Sequence, residues 1–149
     1  MGPKNLENKV FSIPDEIDMA IIKALNRDSR IKVSHLAKLV HLTAPAVAAR
    51  IQRLTDTGVI TRYTVEVDLD KLGFPRQVFI QVAVTDQQHA AYLKLVHQYH
   101  NDIRHHYRTT GEFAYLIEGA FPDRHNLSDF LLALGKLATY QVIDVIDDI

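Results

Sequence analysis

The chain has 149 residues, of which 47% are hydrophobic and 23% charged, so it is long enough for one globular domain or two small ones. It contains no Cys, which excludes disulfides and thiolate-based zinc, iron-sulfur or nucleophilic sites. No apolar run approaches the roughly 20 residues of a membrane span, and residues 1–12 form a polar tail without the apolar core of a signal peptide. We therefore expect a cytoplasmic protein without a membrane partner.

The charge is unevenly distributed along the chain. Residues 1–64 hold ten Lys and Arg against six Asp and Glu, whereas residues 65–149 hold seven against twelve. Such asymmetry indicates that the first half meets a polyanion. A chance scatter of surface charge gives the same excess, so charge alone leaves both interpretations open.

Apolar periodicity predicts three helices in the first half. The first covers residues 15–27 with Asp15 as its cap, and the second is a short helix beginning near Val33. The third begins near residue 44, because Thr43 can cap it and Pro45 is tolerated in a first helical turn. Gly58 supplies the left-handed conformation that ends this helix.

A two-stranded hairpin, or wing, is predicted after the third helix. Val59-Ile60 forms its first leg, and the alternation of Tyr63, Val65 and Val67 forms its second. Residues 13–67 are thus predicted to be a winged helix-turn-helix domain. Residues 68–75, which include Gly73 and Pro75, are predicted to be a linker.

Residues 76–149 alternate between strands and helices. Strands are predicted at 77–85, 103–109, 113–121 and 140–147, and helices at 87–101 and 124–138. This order, βαββαβ, is the ferredoxin-like split unit, so the fold class is α+β. The third strand is apolar on both faces, and a second subunit is the simplest cover for the sheet face without helices.

The third helix of a winged helix-turn-helix enters the major groove of DNA. Its predicted exposed face holds small residues, Gln52 and Arg53, and the two polar side chains suit adenine and guanine edges. Arg50, at the flank of the buried stripe, either contacts DNA or pairs with a carboxylate such as Asp18, and Arg53 alone is equally typical of ordinary surface. The candidate DNA-binding residues are Lys38, Thr43, Ala44, Ala48, Ala49, Arg50, Gln52, Arg53 and Arg62, with His35 as a further phosphate candidate.

These residues carry a family resemblance. From Pro14 onward the chain resembles the leucine-responsive/asparagine-regulator (Lrp/AsnC) family of bacterial and archaeal transcription regulators. The motifs Asp-x-Ile-Asp, Asp-x-Arg-Ile, Leu-Thr-x-x-x-Val, Arg-Ile-x-Arg-Leu and Gly-Val-Ile occur in the family's order and spacing, followed by TGEFAYL. The resemblance implies binding to pseudo-palindromic double-stranded DNA as a homodimer that assembles into tetramers or octamers. It also implies an amino-acid or related small-molecule effector.

Two positions depart from that pattern. The family usually has Gly where this chain has His41, which must adopt an unfavourable helix-end conformation. The effector loop is usually Gly-Asp-Phe/Tyr-Asp, whereas here the second carboxylate is replaced by Ala114. The candidate effector residues implied by the resemblance are Thr110, Gly111, Glu112, Phe113 and Ala114.

Other functions have less support from the sequence. No catalytic motif, cofactor site or metal site is predicted, although six of the eight His lie in the second half. Siroheme decarboxylases have a similar two-domain architecture and place His and Arg near a tetrapyrrole in the C-terminal half. Because this chain has His105-His106-Tyr107-Arg108 there, a tetrapyrrole enzyme is one alternative. Because neighbouring strand residues point to opposite faces, His105 and His106 are not expected to share a site. A small-molecule-sensing oligomer that does not bind DNA is the other alternative.

Overall fold

The computed structural model describes residues 13–147, so the predicted polar tail at 1–12 lies outside the described residues. The chain divides into two compact units between Glu66 and Val67. Among residues 13–147, no helix combines the length and apolar character that a membrane span requires.

The first unit consists of three helices, α1 (Glu16–Arg27), α2 (Val33–Leu39) and α3 (Ala44–Asp56). Asp15 caps α1 through a capping box, in which its side chain accepts from the N–H of Asp18 and the Asp18 side chain accepts from the N–H of Asp15. Thr43 caps α3 and accepts from the N–H of Ala46 at 3.4 Å. Gly58 ends α3 with a φ of 76°. The predicted helix signals are confirmed at these positions.

The core of this unit is small and comes from all three helices. Its fully or nearly buried members are Ile21, Leu36, Ala37 and Val47. Leu54, toward the end of α3, is also buried. These residues fix the turn between α2 and α3, which is the geometry of a helix-turn-helix.

That turn contains a strained residue. His41 has a φ of 55° and is the one residue other than Gly with a positive φ among those described. The N–H of Leu42 donates to the carbonyl of Ala37 at 3.0 Å, which is the bond of a Schellman-type helix end. The predicted unfavourable conformation of His41 is therefore confirmed.

The predicted wing hairpin is wrong, because the described residues contain no strand between Asp56 and Arg76. Val59-Ile60, predicted as the first strand of the wing, instead belongs to the end of α3, where the N–H of Ile60 donates to the carbonyl of Leu54 at 2.9 Å. Residues 61–68 are exposed, and Val65 retains 78% of its accessible surface. A period-2 pattern without a hydrogen-bonding neighbour is insufficient to form a strand.

The second unit is a four-stranded antiparallel sheet with two helices. Its strands are β1 (Arg76–Val84), β2 (Ile103–Arg108), β3 (Tyr115–Phe121) and β4 (Ala138–Asp144), in the spatial order β2-β3-β1-β4. Helix α4 (His89–Gln98) follows β1, and α5 (Arg124–Gly135) follows β3. The predicted βαββαβ order is confirmed.

Both helices pack against one face of the sheet. Tyr92 from α4 and Phe130 from α5 join the strand residues Ile80, Ile117 and Phe121 in one buried cluster. The opposite face carries every second strand residue, and neither helix of this unit joins the cluster on that side. Its cross-strand members are His105, Tyr107, Leu116, Glu118, Phe79, Gln81, Gln141 and Ile143.

Several element boundaries differ from the predictions by two or three residues, and for β3 the reason is local. β3 begins at Tyr115 rather than residue 113, because the carbonyls of Phe113 and Ala114 accept hydrogen bonds from the side chain and backbone of Thr109. Helix α5 ends at Gly135 rather than residue 138, and β4 already begins at Ala138.

Candidate DNA-binding surface and effector loop

The exposed face of α3 has two halves of different character. Its first half carries the short side chains of Pro45, Ala48 and Ala49, all exposed. Its second half carries Gln52 and Arg53, which are exposed as well. Short side chains allow close approach of a helix to a groove, and the amide and guanidinium provide hydrogen-bond donors further along the helix.

The two Arg side chains of α3 are held by carboxylates at the start of α1. Nη1 of Arg50 lies 2.8 Å from Oδ2 of Asp15 and 2.8 Å from Oδ1 of Asp18, and Nη2 of Arg53 lies 2.6 Å from Oδ2 of Asp18. The Asp18 side chain is 1% exposed. Hydrogen bonds from the N–H of Asp18 and from the Arg50 side chain hold the pKa of Asp15 below its usual value, and Asp15 and then Asp18 raise the pKa of Arg50. We call these four residues the Asp-Arg cluster.

Other predicted DNA-binding side chains of α3 also have intramolecular partners. Nε2 of Gln52 donates to Oδ1 of Asp56 at 2.8 Å, and the Thr43 hydroxyl is occupied as the helix cap. Within residues 13–147, Lys38 on α2 and Arg62 after α3 form no ion pair, and both are exposed. Ala44 is partly buried against the helical core. Contact of any of these residues with DNA remains a prediction.

Sequence reasoning anticipated one of the three ion pairs of the Asp-Arg cluster. It offered Asp18 as a partner of Arg50, as the alternative to a DNA contact, and the structure shows that ion pair. It did not name the pair of Arg50 with Asp15. It missed the bond between Arg53 and Asp18, although a signal was present: Arg50 and Arg53 are three apart on α3, as Asp15 and Asp18 are on α1. Two such pairs on facing helices match in spacing.

The candidate effector loop is a tight connection between β2 and β3. Gly111 has a φ of 97°, a conformation that a side chain would strain. Thr110, Gly111 and Glu112 are exposed, whereas Phe113 and Ala114 are partly buried. The loop thus presents one carboxylate, that of Glu112, beside an apolar base.

The His residues of β2 occupy different environments. Nδ1 of His105 lies 2.8 Å from Oε2 of Glu118 on the face without helices. Nε2 of His106 lies 2.8 Å from Oη of the fully buried Tyr92 on the opposite face. No group of three His, Cys, Asp or Glu side chains with metal-binding geometry occurs in the described part of the chain.

A helix-turn-helix with an exposed α3, joined to a βαββαβ unit, is an architecture used by two-domain DNA-binding regulators. The sequence model of the AsnC-type helix-turn-helix domain family matches residues 15–55, which run from the cap of α1 to the last turn of α3.

Relatives extend the match to both units. The chain is 38% identical to the HTH-type transcriptional regulator LrpA of Bacillus subtilis over 132 residues, which cover 89% of this chain and 97% of that protein. It superimposes on the structure of Bacillus subtilis LrpC with a TM-score of 0.79 and 28% identity, covering 91% of this chain and 96% of that one. A Neisseria meningitidis transcriptional regulator in complex with L-Met has a TM-score of 0.80 over 91% of each chain, and its 22% identity shows likeness of fold alone.

The chain belongs to the Lrp/AsnC family of HTH-type transcriptional regulators. The predicted fold class and the predicted function class, a DNA-binding transcription regulator, are confirmed at the level of the family.

Proposed function

We propose that the protein is a cytoplasmic, non-enzymatic regulator that binds a specific double-stranded DNA site through α3, as a homodimer or a higher assembly. The observation that carries the proposal is the exposed face of α3. This face has short side chains at Pro45, Ala48 and Ala49 and hydrogen-bonding side chains at Gln52 and Arg53. Lys38 and Arg62 add positive charge on either side of α3 in sequence, for contact with phosphates. A transcription regulator acts where the chromosome is, which supports the cytoplasm.

The separate placement of His105 and His106 argues against the enzyme alternative. Each imidazole already has a protein partner, and the two partners, Glu118 and Tyr92, lie on opposite faces of the sheet. A tetrapyrrole site would need side chains that converge on one face. The regulator therefore has stronger support than the decarboxylase-like enzyme.

The test is fluorescence anisotropy on the DNA upstream of the protein's own gene, with random-sequence DNA as the reference, over a series of salt concentrations. We expect the upstream DNA to bind more tightly and the affinity to fall steeply with salt, because each contacted phosphate contributes about −0.9 to the slope of log affinity against log salt concentration. The variant Ala48→Glu places a carboxylate on the exposed face of α3 and should abolish binding to both DNAs.

The matched control is Ala20→Glu, which makes the same substitution at an exposed position of α1. It adds the same charge to the same unit and should reduce binding much less. Equal affinity of the wild type for the two DNAs, or equal loss in the two variants, would contradict the proposal.

We further propose that an amino acid or a related small metabolite modulates DNA binding from the loop at residues 110–114. The L-Met complex of the Neisseria protein supports this class of ligand by analogy. With Ala114 in place of the family's usual carboxylate, this loop lacks one acceptor for the ligand's ammonium group. We expect weak responses to the common amino acids in the anisotropy assay and a stronger response in Ala114→Asp; no change in that variant would argue against this loop.

A further inference from the structure

Asp18 contacts both Arg side chains of α3. Asp18 is buried in α1, yet it accepts from one guanidinium of α3 on each of its two oxygens. Its Oδ2 also accepts from the N–H of Asp15, at 3.1 Å. One carboxylate is therefore the common acceptor for both Arg residues of α3.

The two guanidinium groups are held in different ways. The Arg50 side chain is 24% exposed and bridges Asp15 and Asp18. The Arg53 side chain is 47% exposed, and among the described residues Asp18 is the acceptor that its guanidinium reaches, through Nη2. Arg50 is thus enclosed between two carboxylates, whereas Arg53 is held on one edge and leaves other donors of its planar fork at the surface.

A fork held on one edge is prepared for a contact on the other edge. Arg loses rotamer freedom when it binds a base or a phosphate, and a side chain that is already oriented loses less. The specific contact of Arg with guanine uses two parallel donors and depends strictly on the orientation of the fork. Asp18 is buried whereas the Arg53 side chain is half exposed, so the bond between them anchors the guanidinium from the protein side.

We propose that Asp18 is a positioning residue for DNA recognition, which holds the Arg53 guanidinium so that its free edge contacts a base, while Arg50 supplies the second counter-charge that Asp18 needs. This inference rests on the proposed function. According to this proposal, Arg53 contacts DNA directly, whereas Arg50 does not contact a base and stabilises the charge of Asp18.

The experiment uses a duplex recovered by in vitro selection from a random pool with the full-length wild-type protein. The ratio of the Kd for random DNA to the Kd for the selected duplex is measured for the wild type, Asp18→Asn, Arg53→Gln and the double variant. Asn has the size of Asp and keeps an oxygen for the capping box, but it removes the charge that orients Arg53. The control is Asp28→Asn, which removes one charge from an exposed position at the other end of α1.

We expect Asp18→Asn to lower this ratio about tenfold, within the discrimination of one bidentate base contact, while random DNA binds at least as tightly as before. Arg53→Gln should lower the ratio similarly, and the double variant should lower it no further, because both substitutions remove one interaction. Asp28→Asn should leave the ratio unchanged.

Several outcomes would overturn the proposal. One is a ratio in Asp18→Asn within twofold of that in Asp28→Asn, and another is a ratio that rises, which would mean that Asp18 withholds Arg53 from DNA. A third is a further fall of the ratio, of the same size, when Asp18→Asn is added to Arg53→Gln. That result would indicate that Asp18 has a purely structural role. If selection yields no preferred duplex, the proposed function fails and this inference fails with it. If a duplex is selected, sequence-specific binding is established, and the variants then test only the role of Asp18.

A second measurement needs no variant of Asp18 and covers the case in which Asp18→Asn does not fold. Side-chain ¹⁵N relaxation of the Arg Nε–H groups reports their order in the wild-type protein. We expect Arg53 to be clearly more ordered than the exposed Arg62 before DNA is added, and to change little on binding the selected duplex. An Arg53 as mobile as Arg62 in the free protein would refute the positioning role.

Discussion

At the scale of single residues, His41 shows a local conflict between sequence and backbone. Its φ of 55° lies in the left-handed region, where a side chain with a Cβ is strained. The geometry persists because the Schellman-type bond from Leu42 to Ala37 and the packing of α2 and α3 over-determine it. The turn of the helix-turn-helix thus carries a cost that a Gly would remove.

We expect His41→Gly to raise the free energy of unfolding by about 0.5–1 kcal/mol, since the gain in backbone freedom of the unfolded chain offsets part of the relieved strain. The measurement is urea denaturation followed by circular dichroism. His35→Gly, within α2, is the matched control and should lower the same free energy by about 0.3–0.5 kcal/mol, the difference between the helix propensities of His and Gly. The same sign in both variants would contradict the argument.

His106 is one residue through which pH should act on the second unit. Burial and then the neighbouring His89 lower the pKa of His106, so the folded protein favours its neutral form. The unfolded chain therefore binds more protons below a pH of about 6.5, and the folded state loses stability as the pH falls from there toward the pKa of the folded protein. Above that window the contribution of His106 is fully present.

We accordingly expect the free energy of unfolding to decline less between pH 7 and pH 5 in His106→Gln than in the wild type. Gln keeps a polar partner for the buried hydroxyl of Tyr92. His97→Gln, at an exposed position of α4, is the control and should follow the wild-type profile. Parallel profiles for all three proteins would remove His106 as the source.

At the scale of elements, the sheet depends on a close approach at Gly119 of β3. A Cβ built there would lie 2.8 Å from Cε2 of Phe121, whose side chain is fully buried and cannot move aside without disturbing the core. In contrast, a Cβ at Gly135, in the last turn of α5, would lie 3.4 Å from Cε1 of Tyr140, which is an ordinary contact.

The two Gly residues should therefore respond oppositely to the same substitution. Gly119→Ala should lower the free energy of unfolding by about 1–3 kcal/mol through overpacking, and Gly135→Ala should raise it by up to about 1 kcal/mol through helix propensity. Thermal and urea unfolding of both variants would check this. A neutral Gly119→Ala would show that the Phe121 ring relaxes easily.

At the scale of the whole molecule, the sheet face without helices is the surface through which we expect copies of the chain to associate. Phe79 and Ile143 lie opposite each other in the pairing of β1 and β4, and Phe79 also pairs with Glu118. Ile143 and Tyr107 are each 46% exposed. A sheet face with aromatic and aliphatic side chains is typical of an interface, and a second copy of the same face is the cover that we propose.

We expect Phe79→Glu to convert the dimer or larger assembly to a monomer, because it places an unpaired carboxylate on an inner strand of the proposed interface, opposite Glu118. Size-exclusion chromatography with light scattering measures this directly. Leu132→Glu, at a position of α5 that is 66% exposed, is the control and should leave the sheet-to-sheet dimer intact. A monomeric wild type, or a Phe79→Glu variant of unchanged mass, would exclude this face.

Predictability from sequence depended on the distance between interacting residues. The start and end of α3 could be predicted from Thr43, Pro45 and Gly58, because caps and left-handed stops are decided within one helical turn. The wing could not, since the same alternation of apolar residues serves a strand only where a neighbouring strand completes its hydrogen bonds. The bond from Arg53 to Asp18 joins residues 35 positions apart, so it depends on how α1 packs against α3.

The sequence by itself determined the helix-turn-helix and the order of strands and helices in the second half, because both follow from short-range propensity and periodicity. Spaced motifs carried the resemblance to the family, and that resemblance implied the strain at His41. Only the tertiary structure decided that the Arg residues of α3 share a buried carboxylate, that the wing segment forms no strand, and that His105 and His106 have separate partners. Each of these depends on which distant groups packing brings within hydrogen-bond reach, and no local pattern records that.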